Sequence, residues 1–203
     1  MKKDVKTTDI ICIIDMSGSM SSVVDATCDG FNEFIAEQRD MPGKAFVSLI
    51  LFNDNTQICY EGTDIGRVPH LDRLVYKPER TTALLDAVGE TLSSSSNECA
   101  MEADHTIVLI ITDGAENASK EWTREAVRAK ISDLQASHNW SFIFMGANQD
   151  SFEEARSYGI NDAYTANFAS SDVGTRAAYG SASVMASSIR SGNPLEPGKH
   201  NAT

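Results

Sequence analysis

An unbroken apolar run, Ile10-Ile11-Cys12-Ile13-Ile14, passes directly into Asp15-Met16-Ser17-Gly18-Ser19. A strand that is apolar at every position, instead of every second one, must be covered on both faces. It therefore belongs in the middle of a sheet with layers above and below. A second run of the same kind, Ile107-Val108-Leu109-Ile110-Ile111, leads into Thr112-Asp113-Gly114. Strand-like and helix-like stretches alternate around these two runs, which predicts an α/β fold. The expected form is a doubly wound, mostly parallel sheet of about six strands with helices on both faces.

The local patterns fill in this frame. Asp9–Asp15 reads as the first central strand and Thr106–Thr112 as the second. Ser21 or Ser22 to about Gln38 carries Val23, Val24, Thr27, Phe31, Phe34 and Ile35 at helical spacing. Ala45–Phe52 is a strand, Asn53-Asp54-Asn55 a turn, and Thr56–Tyr60 the returning arm of a hairpin. That arm is the one antiparallel edge strand. Glu61 to Thr81 is irregular, broken by Pro69 and Pro78, with Leu71 and Leu74 as expected anchors. Helices follow at Ala83 to about Ser95 and at Thr123–Ser137, the latter with Ala126, Val127, Ile131 and Leu134 facing inward. Trp140–Met145 is a strand, 146–150 a loop, and Ser151–Tyr158 a short helix that Gly159 stops. Asp162–Thr165 completes the strands. Ser170–Arg190 is helical by pattern, with Val173, Ala177, Gly180 and Val184 as a narrow stripe for close approach to the sheet. These elements predict one domain over residues 1–191 and a flexible C-terminal tail over 192–203.

A net charge of −12 disfavours nucleic acid and anionic membrane as partners, because both are held by basic patches. Lys2, Lys3 and Lys6 precede no apolar leader segment, and the longest apolar run is too short to span a bilayer. Cys12, Cys28, Cys59 and Cys99 are scattered without a C-x-x-C pair, as in free thiols of a reducing compartment. A cytoplasmic location is therefore expected, where the sequons at Asn117, Asn139 and Asn201 carry no meaning.

Asp15, Ser17 and Ser19 offer a carboxylate and two hydroxyls at spacing two, where a buried strand gives way to a loop. Hard oxygen donors with little negative charge suit Mg²⁺ (or Mn²⁺) better than zinc. Asp113 ends the other central strand, and both acids should project from the carboxyl edge, where open α/β sheets bind ligands. Each element also has a plain structural explanation. Asp15 with Ser17 or Ser19 suits a helix cap, Thr82 caps the helix after it, and Asp113-Gly114 makes a turn.

Taken together, Asp15-Met16-Ser17-Gly18-Ser19, Thr82-Ala83-Leu84-Leu85-Asp86-Ala87 and Ile107–Gly114 resemble, in order, the von Willebrand factor A family. Its metal-ion-dependent adhesion site has the pattern Asp-x-Ser-x-Ser, a Thr before a helix, then an Asp closing a central strand. The likeness runs from about Asp9 to about Tyr164 and is to small stand-alone bacterial or phage members. It implies a Rossmann-like sheet in which Ser17, Ser19 and Thr82 give hydroxyl ligands and Asp15 and Asp113 carboxylates. Thr82 is preferred to Thr81 because Leu follows at +2 and Asp-Ala at +4 and +5. The implied function is metal-dependent binding of a protein partner that presents Asp or Glu to an open coordination position, within a larger assembly in many relatives. One departure stands out: the family often has Gly just before the Thr, where this chain has Arg80-Thr81.

Two other readings share the layout. A haloacid-dehalogenase-like phosphatase would use Asp15 as nucleophile and Thr112 as its strand-end hydroxyl. Its second acid would have to be residue 17, which is Ser. A structural assembly protein would use the surface of the fold without metal. No G-x-S-x-G, H-E-x-x-H, P-loop or G-x-G-x-x-G is present. His70, His105, His138 and His200 are dispersed at loops and element ends, so no catalytic residues are assigned.

Overall fold

A computed structural model describes residues 6–94, 103–137, 139–147, 151–193 and 195. Cys99, His138, His200, positions 148–150 of the loop after the fifth strand and most of the expected tail lie outside them. The strands are β1 (Thr7–Asp15), β2 (Lys44–Phe52), β3 (Thr56–Asp64), β4 (His105–Thr112), β5 (Trp140–Ala147) and β6 (Thr165–Phe168). The helices are α1 (Val24–Arg39), α2 (Leu84–Ser93), α3 (Arg124–Ser137), α4 (Ser151–Ser157) and α5 (Asp172–Arg190). The sheet order is β3-β2-β1-β4-β5-β6, all parallel except the β2–β3 pair. The chain winds outward in both directions from β1 and β4, so the strand order reverses between them.

The two apolar runs occupy this centre. Ile10, Cys12 and Ile14 of β1 pack with Ile107, Leu109 and Ile111 of β4 beneath α1 and α5. Ile11 and Ile13, with Val108 and Ile110, face Leu84, Leu85 and Val88 of α2 and Val127 and Ile131 of α3. The period-two alternation of strand side chains thus feeds two separate cores, which is why no position in either run is polar.

Several local expectations need correction. The hairpin arm β3 runs on to Asp64 instead of ending at Tyr60. The sixth strand starts at Thr165, after a 3-10 turn over Asp162–Tyr164, because the Asn161 side chain accepts from the Ala163 amide and curls the backbone there. Leu74 is 78% exposed, and the anchor of its segment is Tyr76 at 1%. Ala126 points to solvent, leaving Val127, Ile131 and Leu134 as the inner face of α3. The stripe on α5 is turned round. Val173 and Val184 are 81% and 54% exposed, while Ala178, Tyr179, Ala182, Met185, Ala186 and Ile189 are buried. Small residues there meet water, and the helix packs through the neighbouring face.

Asp9 lies at the amino-terminal end of β1, opposite the edge that carries Asp15. It is 2% exposed, and among the described residues its Oδ1 has no hydrogen-bond partner. Burial pushes its carboxyl up to about 6, against the pull of the Ile10 amide. A folded-state value above the unfolded one means that the folded protein holds the proton more tightly. The associated stability is present below the unfolded value of 3.8 and is lost as pH rises through about 6. Asp9→Asn keeps the shape and removes the titration. It should erase about 2 kcal/mol of the decline in stability between pH 4.5 and 7.5, read by urea unfolding in EDTA.

Candidate metal centre

Asp15 closes β1 and is fully buried. Its Oδ1 accepts the Ser17 amide at 2.7 Å and its Oδ2 accepts the Thr112 hydroxyl at 2.6 Å. Tyr76 donates its hydroxyl to the Asp15 carbonyl at 2.6 Å, so both side chain and backbone are held from behind. Burial raises the Asp15 carboxyl to about 6; the Thr112 and Ser17 hydrogen bonds oppose that rise, and the charge of Asp113 adds to it. Two acids facing each other in a dry setting repel, and a dication between them would reverse the sign of that interaction.

Ser17 and Ser19 follow on the turn that enters α1. Their hydroxyl oxygens are 3.1 Å apart, and Ser19 donates to Oδ1 of Asp113. Ser17 precedes a 3-10 helix over Gly18–Val23, yet its side chain makes no capping hydrogen bond. The hydroxyl is thus turned away from the role a cap would give it. Thr82 is likewise buried, and the N-cap position of α2 is Ala83, one residue beyond it, so Thr82 is not the cap of that helix.

Gly114 gives the common measure of these groups. A methyl group placed there would lie 3.0 Å from Thr82 Oγ1, 3.5 Å from Ser19 Oγ and 3.8 Å from Asp15 Oδ2. Segments far apart in sequence therefore bring their oxygens to one spot beyond the carboxyl ends of β1 and β4. That is the crevice where the strand order reverses. All five residues singled out from the sequence belong to this cluster.

The structure adds residues that the sequence did not assign to this site. Ser170, ahead of α5, donates to Oδ2 of Asp113 at 3.0 Å. It is one hydroxyl in an Ala-Ser-Ser stretch, and nothing in its neighbourhood marks it. Thr112 orients Asp15 and accepts the Gly114 amide at 3.2 Å, which ties it to the acid it precedes. Asn117 and Thr82 exchange two bonds: the Thr82 amide donates to Asn117 Oδ1 at 3.0 Å, and the Asn117 amide to the Thr82 carbonyl at 3.1 Å. Glu116 accepts the Leu85 amide at 2.9 Å, and Asp86 accepts the Lys120, Glu121 and Trp122 amides. The loop after Asp113 is thereby stapled to the start of α2.

Arg80 supplies the expected break with the glycine pattern. Its φ is +69°, and it is the single non-glycine residue with positive φ among the described residues. The backbone takes the left-handed turn that Gly usually makes, at a cost of about 1 kcal/mol for a residue bearing a Cβ. The turn lets the Arg80 carbonyl accept the Gly18 amide at 3.0 Å, joining the serine loop to the threonine loop.

The donor set suits a hard cation. It has three neutral hydroxyls, two carboxylates and no imidazole or thiolate. Among the described residues no group of three His, Cys, Asp or Glu side chains converges as a zinc-type cage would require. No helix of the described residues is long and apolar enough to cross a membrane.

Comparison with known proteins agrees with this fold. The family model of the von Willebrand factor type A domain matches residues 9–178. No curated protein matches the sequence. Among solved structures, proximal thread matrix protein 1 from the mussel byssus, with a zinc-occupied MIDAS motif, superposes with a TM-score of 0.63 at 16% identity. The match covers 90% of this chain and 46% of that one. The PilB minor pilin from Streptococcus sanguinis gives 0.64 at 8% identity, over 92% of this chain and 62% of that one. A von Willebrand factor type A protein from Catenulispora acidiphila gives 0.53 at 15%, over 88% and 43%. At such identities the likeness is one of fold. The chain spans about half the length of the mussel protein.

Proposed function

Because the chain belongs to the von Willebrand factor type A domain family, we propose that it is a divalent-metal-dependent protein-binding module, and not an enzyme. Asp15, Ser17, Ser19, Thr82 and Asp113 would hold Mg²⁺ or Mn²⁺, within one domain over residues 1–191. When bound, the cation supplies a Lewis-acidic position that an Asp or Glu of a partner protein can fill. The protein itself orients the donors. Thr112 and the Ser17 amide fix Asp15, Ser170 and Ser19 fix Asp113, and Asn117 fixes the threonine loop. The supporting observation is the convergence of Thr82 Oγ1, Ser19 Oγ and Asp15 Oδ2 within 3.8 Å of one point above Gly114. A surface of charge −12 would otherwise repel an acidic partner, so recognition would depend on the metal. A cytoplasmic setting within a larger assembly fits this reading.

The test is a calorimetric titration of Mg²⁺ and Mn²⁺ into the wild type and Thr82→Val, which keeps the side-chain shape and removes one hydroxyl. One ion per chain and an affinity reduced about tenfold or more in the variant are expected, by analogy with the loss of one hydrogen-bonding ligand group. Equal affinities would remove Thr82 from the site. Absence of binding to the wild type would remove the function.

A further inference from the structure

A left-handed backbone is an unusual place to keep a long cationic side chain. Glycine would make the same turn at residue 80 without strain. Residues held in such conformations concentrate at functional sites. Arg80 is held there between the threonine loop and the serine loop, its carbonyl on the Gly18 amide. Its guanidinium is half-exposed, at 53%, and faces Asp54 at 3.3 Å and Glu79 at 3.4 Å. These are long, solvent-facing ion pairs of the kind that contribute little and exchange readily. Their geometry leaves the fork of Arg80 available to a better carboxylate.

The charge around it points the same way. The chain carries −12 overall, and Asp54 and Glu79 are themselves acidic rim residues. Against this net negative charge, Arg80 and the proposed cation offer positive groups to a partner that presents carboxylates. We infer that Arg80 is a specificity-determining residue of the partner site. In this assignment its guanidinium takes a second carboxylate of the partner beside the one directed to the metal, so the preferred target is a protein segment with two closely spaced acidic residues. This rests on the metal-dependent binding proposed above. The strain at residue 80 is kept because the turn alone does not suffice; a charge must ride on it.

The test uses capped Gly-rich peptides with one Glu, or with two Glu separated by one to four residues, titrated into the full chain in Mg²⁺. Binding of the best two-Glu peptide should weaken about tenfold in Arg80→Gly and recover most of the way in Arg80→Lys. The one-Glu peptide and Mg²⁺ itself should be held within about twofold of the wild type. The thermal midpoint of Arg80→Gly should stay level or rise by about 2 °C, since strain is relieved. Asp54→Asn, which removes one of the two acids that face the guanidinium, should strengthen the two-Glu peptide, and added salt should narrow the difference between peptides. Equal losses for both peptides and the metal would make Arg80 a structural brace and overturn the assignment. Unchanged two-Glu binding in Arg80→Gly would overturn it as well. A wild type that binds Mg²⁺ but no Glu peptide would overturn the acidic-partner reading and this one with it, whereas loss confined to the two-Glu peptide supports both.

Discussion

Asp113→Ala should abolish the heat of Mg²⁺ binding while the protein stays folded, and in EDTA the variant should be at least as stable as the wild type. The second half of that result follows from the geometry. Asp113 sits across from Asp15, and its charge helps to raise the Asp15 carboxyl, so without a cation the two acids oppose each other. Removing Asp113 relieves that repulsion, and Ser19, one of its hydrogen-bond donors, is exposed and can turn to water. With metal the order should invert. A ligand present at a hundred times its dissociation constant stabilises the folded state by about 2.7 kcal/mol. The wild type should gain that in excess Mg²⁺ and the variant nothing. Chemical unfolding of both proteins in Mg²⁺ and in EDTA gives all four values. A variant that gains as much as the wild type would show that Asp113 does not serve the cation.

The second large effect concerns stability alone. Gly30 on α1 lies against Tyr179 of α5, and a methyl group there would overlap the ring, 2.9 Å from Cγ and closer still to Cδ2. Tyr179 is buried and has no room to retreat, so α1 and α5 must separate. Gly30→Ala should cost about 3 kcal/mol, the upper end for overpacking a close contact, and lower the thermal midpoint by about 10 °C. The same change at Gly180, one residue beyond Tyr179 on the open side of α5, has nothing among the described residues within 4 Å of the added carbon. There it should stabilise by about 0.5–1 kcal/mol, because Ala restricts the unfolded chain and favours helix. Opposite signs for one chemical change on facing and outward positions would confirm which side of α5 is packed. Equal effects would contradict the interface.

That contrast also marks the limit of what the residues disclose. The continuous apolar runs of β1 and β4 leave little freedom, since a strand without polar positions has only the middle of a covered sheet to occupy. The sheet class follows from the same reasoning, and the antiparallel edge from the turn signal at Asn53-Asp54-Asn55. On α5 most positions are Ala, Gly or Ser, whose burial energies differ too little to mark a face, and the stripe through Val173 and Val184 falls on the solvent side, away from Tyr179, Met185 and Ile189. Tyr179 decides it, because one large ring outweighs two valines. Leu74 and Tyr76 tell a similar story: Tyr76 reaches the Asp15 carbonyl with its hydroxyl, a contact across 61 residues that no local pattern announces.

At the candidate site, the acids after each strand and the serines between them were legible from spacing. Thr82 was legible only through its phase relative to the following helix. Ser170 was not, because its partner lies 57 residues away and the serine has ordinary neighbours. Arg80 was visible as a departure from the glycine pattern, but its left-handed backbone had to be seen in three dimensions.

The paired bonds between Thr82 and Asn117, with Glu116 on the Leu85 amide, carry a kinetic consequence. Donors held so firmly have little further order to acquire, and the polypeptide need not rearrange to receive its ion. Loading of the proposed site would then be timed by the cation, since Mg²⁺ releases its hydration shell reluctantly. The slow partner in that encounter would be the solvent, met by a protein already in its finished shape.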